Sequence, residues 1–185
     1  MNLFDLSFWR NASSKRKRIY SIILMFILAF IVTIIGSYVP ISHQNAQTIY
    51  NQVNSTLTEH PSFSSRTEFI FTNNFLYVCL PMFIPIGGIV WGFTVMGNTG
   101  YALAAISSVK GYPVWLELLS LVLTPVFWLE FAAYSTAMAE SIWLTRRLLQ
   151  RRLLELKNTA ILIGICALIL IVGAVVETWL ISIGI

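Results

Sequence analysis

Two stretches of this chain leave little choice of solvent. Tyr20 to Val39 carries no ionisable side chain other than tyrosine, and Thr159 to Val176 carries none other than the Cys166 thiol. Each is about as long as the ~20 apolar residues a helix needs to cross a bilayer. A backbone in hydrocarbon must satisfy its own N–H and C=O groups, and a helix does so within one segment. Charge content agrees: 57% of the 185 residues are hydrophobic and 11% are charged, against about 25% charged in an ordinary soluble domain. The sequence predicts an all-α, polytopic transmembrane helical bundle and argues against a soluble enzyme.

The positions of the charges predict an orientation. Arg10, Lys15, Arg16, Lys17 and Arg18 precede the first run, and Arg146, Arg147, Arg151, Arg152 and Lys157 precede the last. Basic clusters beside spans stay in the cytoplasm. Arg16, Lys17, Arg18, Arg146, Arg147, Arg151 and Arg152 are therefore topology anchors, and the N-terminus is expected inside. The net charge of +4 resides in these clusters, with no aromatic-lined groove to suggest nucleic acid. Residues 1–18 read as a cytoplasmic basic tail. Its Leu3, Phe4, Leu6, Phe8 and Trp9 suit the inner membrane surface. Residues 19–185 read as a single transmembrane domain. The first run exceeds the ~7–15 apolar residues of a signal peptide and lacks a small-residue cleavage site, so Ile19 to Val39 is expected to be a retained span.

Residues 41–72 are polar, with Arg66 as the only Lys or Arg, and read as an outside loop. Ile49, Val53 and Leu57 recur every four residues, which predicts a helix within it. Asn54-Ser55-Thr56 is a glycosylation sequon. A second span is expected from Phe75 to Met96, kinked by Pro81, Pro85, Gly87 and Gly88 and facing other helices. Gly88 and Gly92 form a GxxxG suited to close helix contact. Gly97-Asn98-Thr99-Gly100 predicts a turn, followed by a short helix from Tyr101 to Val109 and a second break at Lys110-Gly111-Tyr112-Pro113. Val114 to Leu144 predicts a helical hairpin or re-entrant pair that bends near Pro125. Residues 145–158 form a cytoplasmic basic turn. The last span, Thr159 to Ile183, ends outside. The expectation is about five membrane segments in the cell (plasma) membrane, N-terminus in and C-terminus out.

Glu117, Glu130, Glu140 and Glu177 fall in these apolar regions. A charge at mid-helix costs roughly 2.5–3.5 kcal/mol on insertion scales, so each needs a partner, a proton or water. Glu130 precedes Arg146 by roughly 24 Å of helix and Glu177 follows Lys157 by roughly 30 Å, so the two fall at similar depth. Tyr134 lies one turn after Glu130. Ala133 and Ala137 belong to a small-residue run suited to helix packing. Asn73 and Asn74 enter from the outer side. Asn73, Asn74, Glu130, Tyr134 and Glu177 are therefore the candidate buried polar cluster. It is either a site for an ion, proton or substrate, or a hydrogen-bonded lock between helices. Glu140 is expected to pair with Arg146 or Arg147.

Catalytic apparatus is missing from the sequence. Asp5 is the only Asp, and the two histidines, His43 and His60, both fall in the outside loop. With Glu59 they match no metal-site spacing. Cys79 and Cys166 read as small core residues, and no P-loop, GxGxxG or CxxCH occurs. No catalytic residue, metal or cofactor is expected.

Residues 20–185 resemble the stage II sporulation protein M-like family of integral membrane proteins. The likeness rests on Asn73-Asn74 opening a Gly-rich span, Gly97-Asn98-Thr99-Gly100, Pro125 followed by Leu129-Glu130, and Ala174-Val175-Val176-Glu177. Asn74, Asn98, Glu130 and Glu177 match the family's motif positions, and the resemblance thereby adds Asn98 to the candidate buried polar cluster. Val126 stands where the family has His, and Thr99 separates Asn98 from its Gly. The resemblance implies a membrane scaffold working with partner proteins. The expected function is a non-catalytic scaffold or accessory subunit of a multi-protein membrane complex, with the lipid bilayer and other membrane subunits as partners. The competing expectation is a transporter or ion-pathway subunit using buried glutamates.

Overall fold

The computed structural model describes residues 13–151 and 156–184. Among the described residues every regular element is helical. Helix α1 is Ser14–Ser37, α2 is His43–Glu59 and α3 is Phe63–Thr72. The chain continues from α3 without a turn into a π-helical stretch, Asn73–Cys79, and a 3₁₀ stretch, Leu80–Phe83. Helix α4 is Gly87–Lys110, α5 is Val114–Leu123, α6 is Pro125–Leu149 and α7 is Leu156–Ser182. Three helices, α1, α4 and α7, are long and apolar enough to cross a membrane. The pair α5–α6 meets the same test as a unit bent by 82°. The chain is a helical membrane protein.

Local chemistry sets the helix starts. Ser13, Ser42, Ser62 and Thr124 each accept a bond from the amide three residues on, which satisfies one of the orphan donors at a helix N-terminus. Ser42 and Ser62 thereby begin two helices inside residues 41–72, a segment that is largely helical rather than a loop. Helix α2 packs along α4, with Ala46 fully buried. Helix α3 is tied to α7 by a Thr67–Thr178 hydroxyl bond of 3.0 Å.

The expected turn at Gly97-Asn98-Thr99-Gly100 does not form, and the second span is not Phe75 to Met96. The break lies ten residues earlier, and residues 97–100 are inside α4. The glycines serve packing instead. A Cβ on Gly36 would strike the Gly97 carbonyl, and one on Gly100 would strike the Thr33 carbonyl and approach the Ser37 amide to 2.7 Å. Helices α1 and α4 therefore touch backbone to backbone, as small residues allow in membranes. Gly88, Gly92, Met96, Gly100 and Ala104 make one buried row at four-residue spacing along α4. Asn98 lies off this row, exposed.

Helices α5 and α6 meet at Thr124-Pro125. Proline lacks an amide to continue the first helix but is well placed to start the second. Trp128 Nε1 donates to the Val122 carbonyl at 2.9 Å across the bend. With ten residues, α5 spans roughly 15 Å, half of a hydrocarbon core. Glu117 sits in its first turn, where it pairs with Lys110 at 3.6 Å and accepts from the Tyr112 hydroxyl. The core centres on α6. Phe127 packs against Phe26, Phe30 and Phe131, with ring centroids 4.3 to 6.1 Å apart. Cys79 and Cys166 are buried free thiols that meet in the same core.

These contacts predict opposite responses at two helical glycines. Gly→Ala favours a helix by about 1 kcal/mol. At Gly164, where a Cβ meets nothing within 4 Å, the purified protein should melt no lower. At Gly100 the overlap should outweigh propensity, with a loss of about 1–3 kcal/mol. Equal melting of the two variants in detergent would refute the α1–α4 contact.

Candidate functional site

The site is built on a break in the backbone. Pro85 has no amide, and Ile86 is held at φ 66°, a conformation that L-residues with branched side chains rarely adopt. The backbone groups freed by such a break need partners from elsewhere in the fold. Helix α6 supplies them. The Ser141 hydroxyl donates to the Ile84 carbonyl at 2.7 Å. The Ile86 amide donates to the Thr145 hydroxyl at 2.7 Å, and that hydroxyl in turn donates to the Ser141 carbonyl at 2.7 Å. Trp91 Nε1 donates to the Val78 carbonyl at 3.2 Å. Gly88 lies against the Met82 carbonyl and the Ser141 hydroxyl, and Gly92 against Met138, with no room for a Cβ at either. Ala133 and Ala137 are fully buried, and the Cys166 thiol donates to the Ala133 carbonyl at 3.5 Å.

Further along the same irregular segment, the π-helical stretch presents Asn73 and Asn74. Asn74 Nδ2 donates to Glu130 Oε1 at 2.5 Å. Asn73 Nδ2 donates to Asn74 Oδ1 at 3.1 Å. The Glu177 carboxyl is close enough to Glu130 to act on it electrostatically. Asn73, Asn74, Glu177 and Arg66 line a pocket of about 330 Å³, walled also by Val53, Phe69 and Ile70. Tyr134 is buried one turn from Glu130, near Cys79. The structure thus brings together Asn73, Asn74, Glu130, Tyr134 and Glu177. Asn98 stands apart on α4. Arg66, the lone Lys or Arg of residues 41–72, joins the cluster at the pocket. Its signal was the spacing Arg66, Ile70, Asn73, which repeats on one helical face.

A second polar centre lies about 15 Å down α6, ten residues from Glu130. Glu140 is 2% exposed. It accepts from the Thr159 hydroxyl at 2.8 Å and pairs with Arg18 at 3.9 Å. Its expected partners, Arg146 and Arg147, are replaced by Arg18, because this face of α6 turns toward α1 and α7. Arg146 stands instead over the Trp143 ring at 5.8 Å, with Arg18 over the same ring at 5.7 Å. The two basic clusters therefore converge on one end of the bundle. Arg16 is exposed and Lys17 half-buried in α1, and Arg151 is exposed after α6. Arg152 and the apolar residues of the N-terminal tail lie outside the described residues.

His60 stacks on Phe69 with centroids 4.4 Å apart and bonds the Ser65 hydroxyl at 3.0 Å. His43 begins α2. Among the described residues no group of three His, Cys, Asp or Glu side chains is placed to hold a metal. The cluster at Glu130 offers amides, one guanidinium and two carboxyls, the inventory of a polar lock or of a site for a small charged solute. No protein-family model, curated protein or solved structure matches the chain.

Two sets of substitutions measure what the cluster holds. Ser141→Ala and Thr145→Val should each destabilise the purified protein by about 1–2 kcal/mol, the upper range for hydrogen bonds measured in membrane proteins. Asn74→Ala and Glu130→Ala should couple in a double-mutant cycle by about 1 kcal/mol or more. Strict additivity would mean that the Asn74–Glu130 bond does not hold the helices together.

Proposed function

We propose that this chain is a non-catalytic scaffold or accessory subunit of a membrane complex. The observation that carries the reading is where the intramembrane polar groups go. Asn74 engages Glu130, Thr159 and Arg18 engage Glu140, and Ser141 and Thr145 engage the broken backbone. These groups join helix to helix.

The outward face of α7 supports a partner. Ile161, Ile165, Leu168, Val172, Val175 and Trp179 are all exposed and recur at alternating four- and three-residue intervals, the seam spacing of paired helices. Gly164 lies beside this seam with no neighbour, and small residues on such faces admit a second helix closely.

The same reading places five crossings in the cell membrane. Ten residues of α-helix, seven of π-helix and four of 3₁₀-helix follow one another over residues 63–83. Together they extend roughly 30 Å, enough for one crossing. Helices α1, α4, α6 and α7 supply the others. With the basic end in the cytoplasm, the N-terminus is inside and the C-terminus outside. Three of the four motif residues behind the likeness to the stage II sporulation protein M-like family, Asn74, Glu130 and Glu177, gather in one polar cluster, and Asn98 does not.

A second reading, a solute or ion pathway, draws on one observation. The pocket between Arg66 and Glu177 adjoins a discontinuous helix, an arrangement used by secondary transporters.

The test of the first reading is to solubilise the chain from its own membranes in mild detergent and identify what co-migrates with it. A stoichiometric set of other membrane proteins is expected. Gly164→Leu should release that set while leaving the chain's own melting unchanged. If the chain runs alone, or Gly164→Leu keeps every partner, the accessory-subunit reading or its docking face, respectively, is wrong.

A further inference from the structure

The basic end of the bundle contains a cavity that the scaffold reading does not use. Lys15 and Arg18 of α1, Trp143 and Arg147 of α6 and Asn158 of α7 line a space of about 340 Å³. Three of these five side chains are cations, drawn from two clusters more than a hundred residues apart in sequence. Beneath it lies a second space of about 250 Å³ that shares Lys15, Arg18, Trp143 and Leu162 with the first. Its remaining walls include Ile19, Ile22 and Ala139, with the bound carboxylate of Glu140 at one side. A polar, cationic chamber thus sits over an apolar one.

Three further facts narrow the ligand. Arg18 is positioned by Glu140 at 3.9 Å and by the Trp143 ring at 5.7 Å, so one cation is held in place. The indole N–H of Trp143 is buried without a hydrogen-bond partner, and a buried donor in that state calls for an acceptor. The chamber opens where α1 and α7 begin their apolar runs, at the depth of lipid headgroups. Basic pockets between transmembrane helices at this level suit anionic headgroups.

We propose that this cavity binds an anionic phospholipid. The phosphodiester lies among Lys15, Arg18, Arg147 and Asn158, and one acyl chain enters the crevice lined by Ile19, Ile22 and Leu162. A soluble phosphate would use only the upper chamber. The continuity of the two chambers is what selects a lipid.

The experiment uses the full chain purified in neutral detergent. Bound lipid is counted by native mass spectrometry, and affinity is read from thermal shift with short-chain phosphatidylglycerol, short-chain phosphatidylcholine and inorganic phosphate as separate probes. Phosphatidylglycerol should stabilise the protein and remain bound, with phosphatidylcholine and phosphate much weaker. Lys15→Gln with Arg147→Gln, which leaves Arg18 and Glu140 intact, should weaken phosphatidylglycerol about ten- to thirty-fold. Ile19→Trp keeps every charge, narrows the crevice and should also weaken it. Equal binding of the two lipids by the unaltered protein overturns the proposal, as does full retention in the double variant. Phosphate binding as tightly as phosphatidylglycerol, with Ile19→Trp without effect, would assign the chamber to a free anion and overturn the lipid.

Discussion

A sharp break between two helices leaves amides and carbonyls without partners in their own segment, and the fold is arranged around one such break. Pro85 and Ile86, the latter at positive φ, interrupt the chain between Phe83 and Gly87. Ser141 and Thr145, one turn apart on α6, take up the Ile84 carbonyl and the Ile86 amide. Those bonds fix the register between α6 and the incoming segment. That register sets Gly88 against Ser141 and Gly92 against Met138. It also brings Asn74 to Glu130 at the segment's other end. The break determines where α4 starts, and hence which of its residues meet α1.

The two polar centres on α6 then have distinct settings. Glu130 meets Asn74 and Glu177, which themselves line a pocket that reaches Arg66. Glu140 is enclosed, with a cation and a hydroxyl as its partners. A buried charge pair of this kind is weak support for stability but strongly resists loss of either member. It joins α1, α6 and α7 at the end where the basic clusters gather. The chain's ionisable groups mark the two ends of a helix, with small residues such as Ala133 and Ala137 packed between them.

Much of this was legible from residue type alone. The uncharged runs give α1 and α7, Pro125 gives the bend, and the depth of Glu130 and Glu177 places them together. What was not legible depended on partners. Glycine at 97 and 100 signals a turn in water and close packing in a membrane, and only the continued four-residue row from Gly88 to Ala104 distinguishes the two. Asn98 belongs to the cluster only through the family likeness, and the structure leaves it exposed on α4. Polar residues 43–72 resembled a loop because their helices bury little beyond Ala46 and Ile70. The π-helical stretch has no sequence signature of its own, and Arg18 as the partner of Glu140 required knowing that distant helices meet.

The central claim is that the carboxyls inside this bundle hold helices together and carry nothing across. The most direct measurement is proton and monovalent-cation flux in liposomes containing the purified chain under an imposed gradient. The account predicts leakage equal to that of protein-free liposomes, with Glu130→Gln unchanged from the native chain. Flux above that background that Glu130→Gln or Glu177→Gln abolishes would contradict it and make the pocket at Arg66 part of a pathway.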